Sequence, residues 1–213
     1  MKTAELIARL ASDDTRTPRY GAPKDLLGPL AVGCAVSFLA MWAWLGIRPD
    51  LGDAIHTFGY WIKFAYTLSL AAIGFRLIER LGRPGADGPR AQWLLVVPVA
   101  IVVALAIGRL AGAPPTARAH LLFGASSNVC PWRIIALSLP IFAGAGFGLR
   151  RLAPTRLVAA GVAAGLLAGA AGAWVYAFHC DESTTPFIAV WYTLGIAVVG
   201  AIGGALGNWL LRW

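Results

Sequence analysis

The sequence predicts an all-α integral membrane protein of six transmembrane helices, with both termini in the cytoplasm. Three observations predict it. Of the 213 residues, 58% are hydrophobic and only 13% charged, and mean hydropathy is +0.69. A soluble domain carries roughly a quarter charged residues, so this chain cannot cover its surface with polar groups in water and needs a bilayer as solvent. The apolar residues also fall into six runs, each close to the ~20 residues a helix needs to cross ~30 Å. Finally, the basic residues alternate in density between successive connections. The N-terminal segment, the second and fourth connections and the C-terminus hold 13 Lys and Arg, against four (Arg48, Arg109, Arg118, Arg133) in the first, third and fifth connections and the helix ends beside them. That bias places the dense side in the cytoplasm.

Residues 1–25 form a polar cytoplasmic segment ahead of a membrane domain, 26–213. Its opening, "MKTAELIARLASDD", sets Leu6, Ile7 and Leu10 at helical spacing. Thr3 can cap, Glu5 suits the first turn, and Arg9 faces away from the apolar stripe. One amphipathic helix this short needs a surface to be stable, either the membrane interface or the groove of a partner. Glu5, Asp13, Asp14 and Asp25 rule out a secretory signal.

The spans are expected at about 27–47, 58–78, 93–111, 132–149, 156–178 and 187–211, as helices, because backbone groups in lipid must be satisfied internally. Lys63 lies inside the second; it could be a functional buried charge, but the favoured reading is that it snorkels to the outer interface, about one and a half turns away. Pro98 and Pro140 are expected to kink the third and fourth. Gly161, Gly165 and Gly169 in the fifth, and Gly200/Gly204 and Gly203/Gly207 in the sixth, let backbones approach closely, which is read as packing within one chain. Trp42, Trp44, Trp61, Trp132, Trp174 and Tyr176 are expected at the outer interface. Trp93, Trp209 and Trp213 are expected at the inner one.

The fifth connection reads "FHCDESTTPF", from Phe178 to Phe187. His56, His120 and His179 all lie in outward loops, with Cys130 and Cys180; only Cys34 lies within a span. A thiolate with imidazole and carboxylates suits a transient thiophilic ion such as zinc or cadmium, with Cys130, Cys180 and His179 as ligands. Cys130 and Cys180 could instead form a constitutive disulfide, or be uncoupled. Asp181 and Glu182 complete the candidate sensing group, or are solvated loop residues. No cofactor is required.

Several function classes are disfavoured. The charges edge the apolar runs and form no basic domain, which argues against nucleic acid. There is no CxxC and no zinc-finger spacing, no histidine within a span to ligate haem, and no loop long enough to fold as a catalytic domain, so an enzyme is not expected. A small metal or solute transporter is the alternative reading; its spans would need a polar path, and no acidic residue lies in their interiors.

Four segments together resemble a known family: "MKTAELIARLA" at the start, "GIRPDL" (Gly46 to Leu51), "CPWRI" (Cys130 to Ile134), and "HC" (His179, Cys180) followed by "PFIAVWYTLGI" (Pro186 to Ile196). With six spans, they are similar to the negative-regulator-of-sigma-F (NrsF) family of membrane anti-sigma factors. The resemblance implies a protein that holds an extracytoplasmic-function sigma factor at the bacterial inner membrane until a metal or redox stress signal releases it. It implies that Leu6, Ile7 and Leu10, flanked by Glu5 and Arg9, contact the sigma factor, with the basic loops around Arg80–Arg90 and Arg150–Arg156 sharing that contact. It makes Cys130 and Cys180 the sensing pair.

Overall fold

A computed structural model describes residues 3–12, 21–82, 93–152 and 154–212. Its helices are α1 (Thr3–Ser12), α2 (Gly21–Trp44), α3 (Leu51–Ala54), α4 (Phe58–Leu81), α5 (Val96–Ala111), α6 (Pro115–Phe123), α7 (Cys130–Arg150), α8 (Leu157–Tyr176), α9 (Thr185–Phe187) and α10 (Thr193–Leu210), with a π-helical turn, Ile188–Tyr192, joining the last two. Among the described residues there is no strand. Six stretches are long and apolar enough to cross a membrane: Asp25–Trp44, Phe58–Leu81, Trp93–Ala111, Cys130–Arg150, Leu157–Tyr176 and Thr185–Leu210. They match the six apolar runs to within a few residues.

Small residues decide which helices pack most closely. In α8, 67% of the apolar stretch is buried, against 11% of Trp93–Ala111; α8 is therefore the centre of the bundle and α5 its periphery. The glycines of α8 face those of α10 within the one chain. A Cβ built on Gly165 would stand 2.9 Å from the Gly200 Cα, and one on Gly161 would stand 2.8 Å from the Gly207 Cα. Helix α2 meets α7 in the same way, antiparallel, with Leu26 beside Gly148 and Pro29 beside Gly144. Helix α7 then runs antiparallel to α8, Ser138 lying against Gly172. These registers put the starts of α2 and α8 and the ends of α7 and α10 at one end of the bundle. The connections through residues 46–57, 112–129 and 177–184 gather at the other.

Two expectations change. Pro98 stands in the first turn of α5, after a short 3₁₀ turn, where the missing N–H costs nothing; it is not a mid-span kink. Pro140 does lie inside α7, and α7 runs on as one helix. Tyr176 is fully buried, and Trp174 packs edge-on against Phe64 and Phe178, so neither belongs to an exposed belt. Trp42, Trp44, Trp61 and Trp132 are exposed towards the loop end, and Trp93 and Trp209 at the opposite end. Trp213 lies outside the described residues.

Close approach has a direct test on α7. A Cβ on Gly144 would collide with the Pro29 backbone, whereas one on Gly146 meets nothing within 4 Å. Gly144→Leu is expected to destabilise the bundle by about 1–3 kcal/mol, the usual cost of overpacking. Gly146→Leu is expected to leave thermal unfolding in detergent unchanged.

Candidate functional site

The loop end is organised around the fifth connection. Tyr176 closes α8, and the chain then crosses the top of the bundle with its carbonyls free of helical partners. Lys63, one and a half turns into α4, supplies the donors. Its Nζ gives one hydrogen bond to the Cys180 carbonyl at 2.7 Å and another to the Glu182 carbonyl at 2.8 Å. Lys63 is 0% exposed. The expected snorkelling to solvent does not occur: the side chain does reach towards the loop end, but the fifth connection lies over it and accepts its hydrogen bonds.

Arg48 clamps the same loop from the first connection. Its backbone N–H donates to the Phe178 carbonyl at 3.1 Å and its Nη1 to the Cys180 carbonyl at 3.1 Å. The other edge of the guanidinium forms a fork with Asp50, Nε to Oδ1 at 2.7 Å and Nη2 to Oδ2 at 2.6 Å. The "RPD" turn thus folds an acid back onto its own arginine. That hydrogen bond, with the charge of Arg48, holds the Asp50 carboxyl below its ordinary value and raises Arg48. It also explains why Asp50 precedes α3 without capping it.

His179 points the other way. Nδ1 lies 2.9 Å from the Gly46 carbonyl and Nε2 lies 3.2 Å from Nη1 of Arg133. Arginine can only donate, so Nε2 accepts and Nδ1 carries the proton. Gly46, with φ of 75°, turns the end of α2 in a left-handed conformation that glycine adopts without steric cost. Glu182 ties in the third connection: its Oε1 accepts from the Ala125 N–H at 2.7 Å. The carboxylate fills the space a side chain at Gly124 would need, and Gly124 too has positive φ. Thr184 donates to the Leu121 carbonyl and Trp191 to the Leu122 carbonyl, at 2.9 and 2.8 Å.

Beneath this knot, Cys130 and Cys180 meet. They are 50 positions apart, both are buried, both are free thiols, and they interact side chain to side chain. Cys130 opens α7 and Cys180 follows α8. Tyr176 and Tyr192 enclose them within one apolar cluster. Among the described residues neither tyrosine hydroxyl has a hydrogen-bond partner, although Tyr192 lies close enough to favour negative charge on Cys180. The Cys180 thiol is held below the ordinary cysteine value. The first cause is the Cys130 S–H, which hydrogen-bonds to a Cys180 thiolate; this opposes the effect of burial, and the Lys63 charge adds to it.

The structure sorts the expected site residues. It unites Cys130 and Cys180. His179 is adjacent in sequence, but both of its ring nitrogens are engaged elsewhere. Asp181 is exposed, and Glu182 serves the third connection. Among the described residues no group of three or more His, Cys, Asp or Glu is placed to hold a metal ion; the thiols form a pair without a third ligand. Cys34 packs beside the lower core. In the tail, α1 is helical as its pattern predicts, with Glu5 and Ile7 exposed. The side chains of Leu6, Arg9 and Leu10 lie outside the described residues, as do Arg83 and Arg90. Arg48 and the tyrosines are the site residues that sequence reasoning missed, and Lys63 is weighed there as a buried functional charge but read in favour of snorkelling. The usable signal was a lysine within a span that holds no acid beside it.

Two consequences are measurable. Lys63→Met leaves the Glu182 carbonyl without its donor and the Cys180 carbonyl with Arg48 alone, and is expected to cost about 1–3 kcal/mol in thermal or denaturant unfolding. A thiol with a lowered value gains its thiolate at lower pH. Alkylation of Cys180 by iodoacetamide, followed by peptide mass, should therefore rise with pH well before the ~8.5 of a free cysteine. In Lys63→Met that rise should move to higher pH.

The profile of the NrsF family, described as negative regulator of sigma F, matches residues 10–213. The chain is 40% identical over 215 residues to the anti-sigma-F factor NrsF of Caulobacter vibrioides, with 100% of both chains covered. It is 40% identical over 213 residues to the probable anti-sigma-F factor NrsF of Azospira oryzae, again with both chains fully covered. No solved structure matches. With a family profile spanning nearly the whole sequence and two full-length relatives, the chain belongs to the NrsF family.

Proposed function

We propose that this protein is a membrane-bound anti-sigma factor. It sequesters an extracytoplasmic-function sigma factor at the bacterial inner membrane and releases it when a metal or redox stress signal reaches Cys130 and Cys180. Family membership and two relatives named as anti-sigma-F factors support the first half. The observation that carries the second is the meeting of two free, buried thiols from distant parts of the chain under the gathered loops. The basic bias supports a periplasmic position for that end and a cytoplasmic one for both termini.

Sigma contact is assigned to the tail helix, through Leu6, Ile7 and Leu10 with Glu5 and Arg9 beside them. A short helix that folds fully only on its partner gives a modest, adjustable interface. The thiol pair joins the start of α7 to the end of α8, and α8 touches α2, α4, α7 and α10. A covalent bond or shared ion between the sulfurs changes how those helices sit. A difference of about 3 kcal/mol between two packings would change sigma affinity some 150-fold. The transporter reading draws less support: the one lysine buried in a span donates to two loop carbonyls instead of lining a path.

Two outcomes are expected. Affinity purification of the tagged full-length protein in mild detergent recovers a sigma factor, identified by mass spectrometry, and deleting residues 1–12 loses it. Well-recovered bait with no sigma factor would overturn the reading. Replacing both Cys130 and Cys180 by Ser abolishes induction of a sigma-dependent reporter by thiophilic metals or oxidants, while the protein stays in the membrane; unchanged induction would remove the sensing role.

A further inference from the structure

The weakly packed α5 leaves a long groove against α4, and the groove is zoned. At the loop end it opens as a cavity of about 630 Å³ lined by Arg109, Gly108, Ser183 and Thr185 among others. Below, it continues as a cavity of about 460 Å³ between Ile62–Ile73 of α4 and the facing side of α5, including Val97 and Ile101. Ile62 and Leu105 line both, so the two adjoin end to end. Each volume is that of a small-molecule site.

The polar end is equipped for an anion. Arg109 is exposed and takes part in no ion pair among the described residues. The Ser183 and Thr185 hydroxyls make only long contacts, 3.4 Å to the Asp181 carbonyl and 3.5 Å to the Leu105 carbonyl. Such distances lie at the limit of a hydrogen bond and leave both hydroxyls able to donate elsewhere. The lower part has no charged residue. From Ile62 to Ile73 it extends ~16 Å along α4 at 1.5 Å per residue. That is about half the ~30 Å hydrocarbon core, the depth reached by the acyl chains of one leaflet.

We propose that the α4–α5 groove is a binding site for one glycerophospholipid with an anionic head group, its phosphate on Arg109, Ser183 and Thr185 and an acyl chain between α4 and α5. Guanidinium matches phosphate by its fork of donors, and an apolar slot open to the bilayer takes a chain without desolvating polar groups. The site does not depend on the anti-sigma role. It abuts that role, because Ser183 lies three residues after Cys180: a bound lipid braces the fifth connection against α5, which otherwise packs loosely.

The test is native mass spectrometry of the full-length protein in detergent, titrated with phosphatidylglycerol or with diacylglycerol of the same chains. Phosphatidylglycerol should be retained as a single bound lipid and diacylglycerol should not. Arg109→Gln should lower the occupancy constant about tenfold, the loss of a hydrogen bond to a charged group. Gly108→Phe provides a second variant, because a Cβ there meets nothing within 4 Å. It should fill the head-group cavity, abolish retention and leave the fold intact. Equal retention of both lipids would reduce the groove to unspecific contact with acyl chains and overturn the proposal. So would wild-type affinity for phosphatidylglycerol in both variants.

Discussion

The loop end depends on one ammonium group. Lys63 is buried within a span and gives two hydrogen bonds to the carbonyls either side of Asp181. A charge in that position is costly unless it is hydrogen-bonded and close to opposite charge or dipoles. The fifth connection supplies the dipoles, and in exchange it is fixed across the top of the bundle. Arg48 repeats the bargain from the other side, reaching the same Cys180 carbonyl. With Cys180 held by its backbone from two directions, its sulfur has one place to go, and that place is beside Cys130.

The same constraint relates the three connections at the loop end. The first reaches the fifth through Arg48 and Gly46, and the third reaches it through Ala125 and Leu121. Few of these links join side chain to side chain; most pair a side chain with a backbone carbonyl or N–H, which makes them sensitive to the path of the chain. Chemistry at the sulfurs that shifts the Cys180 backbone therefore disturbs several connections together. The π-helical turn Ile188–Tyr192 belongs to the same assembly: it brings Tyr192 to the thiols while Trp191 reaches α6. Such turns recur at functional sites, and here one stands directly downstream of the thiol pair.

Below the loops, the bundle is held by contact between small residues instead of polar clamps. Close backbone approach between α8 and α10 and between α2 and α7 yields dispersion attraction over long surfaces, the main source of helix association where lipid is the competing partner. Helix α5 lacks such a stripe and stays peripheral. The protein thus combines a tightly packed centre, an outer end pinned by charge, and one loose helix flanked by a groove.

Much of this was legible in the sequence. Six apolar runs of the right length leave helices as the only structure that satisfies the backbone in lipid, and glycines four residues apart mark the close-packed faces wherever they lie. That Cys130, Cys180 and His179 lie at the same end of the bundle could be read from the alternation of spans alone. What could not be read was where each side chain of that group turns. His179 and Cys180 are neighbours in sequence yet face different partners, because Gly46 and Arg133 claim the imidazole and Cys130 the thiol. Lys63 looked like a residue that would seek water, since nothing in its own helix reveals that a loop 117 residues away returns to cover it. Length and hydropathy act locally and fix the spans. The fate of a buried charge, the pairing of two thiols and the depth of a groove are set by which backbone dipoles and side chains arrive from elsewhere in the chain, and only the tertiary structure decides that.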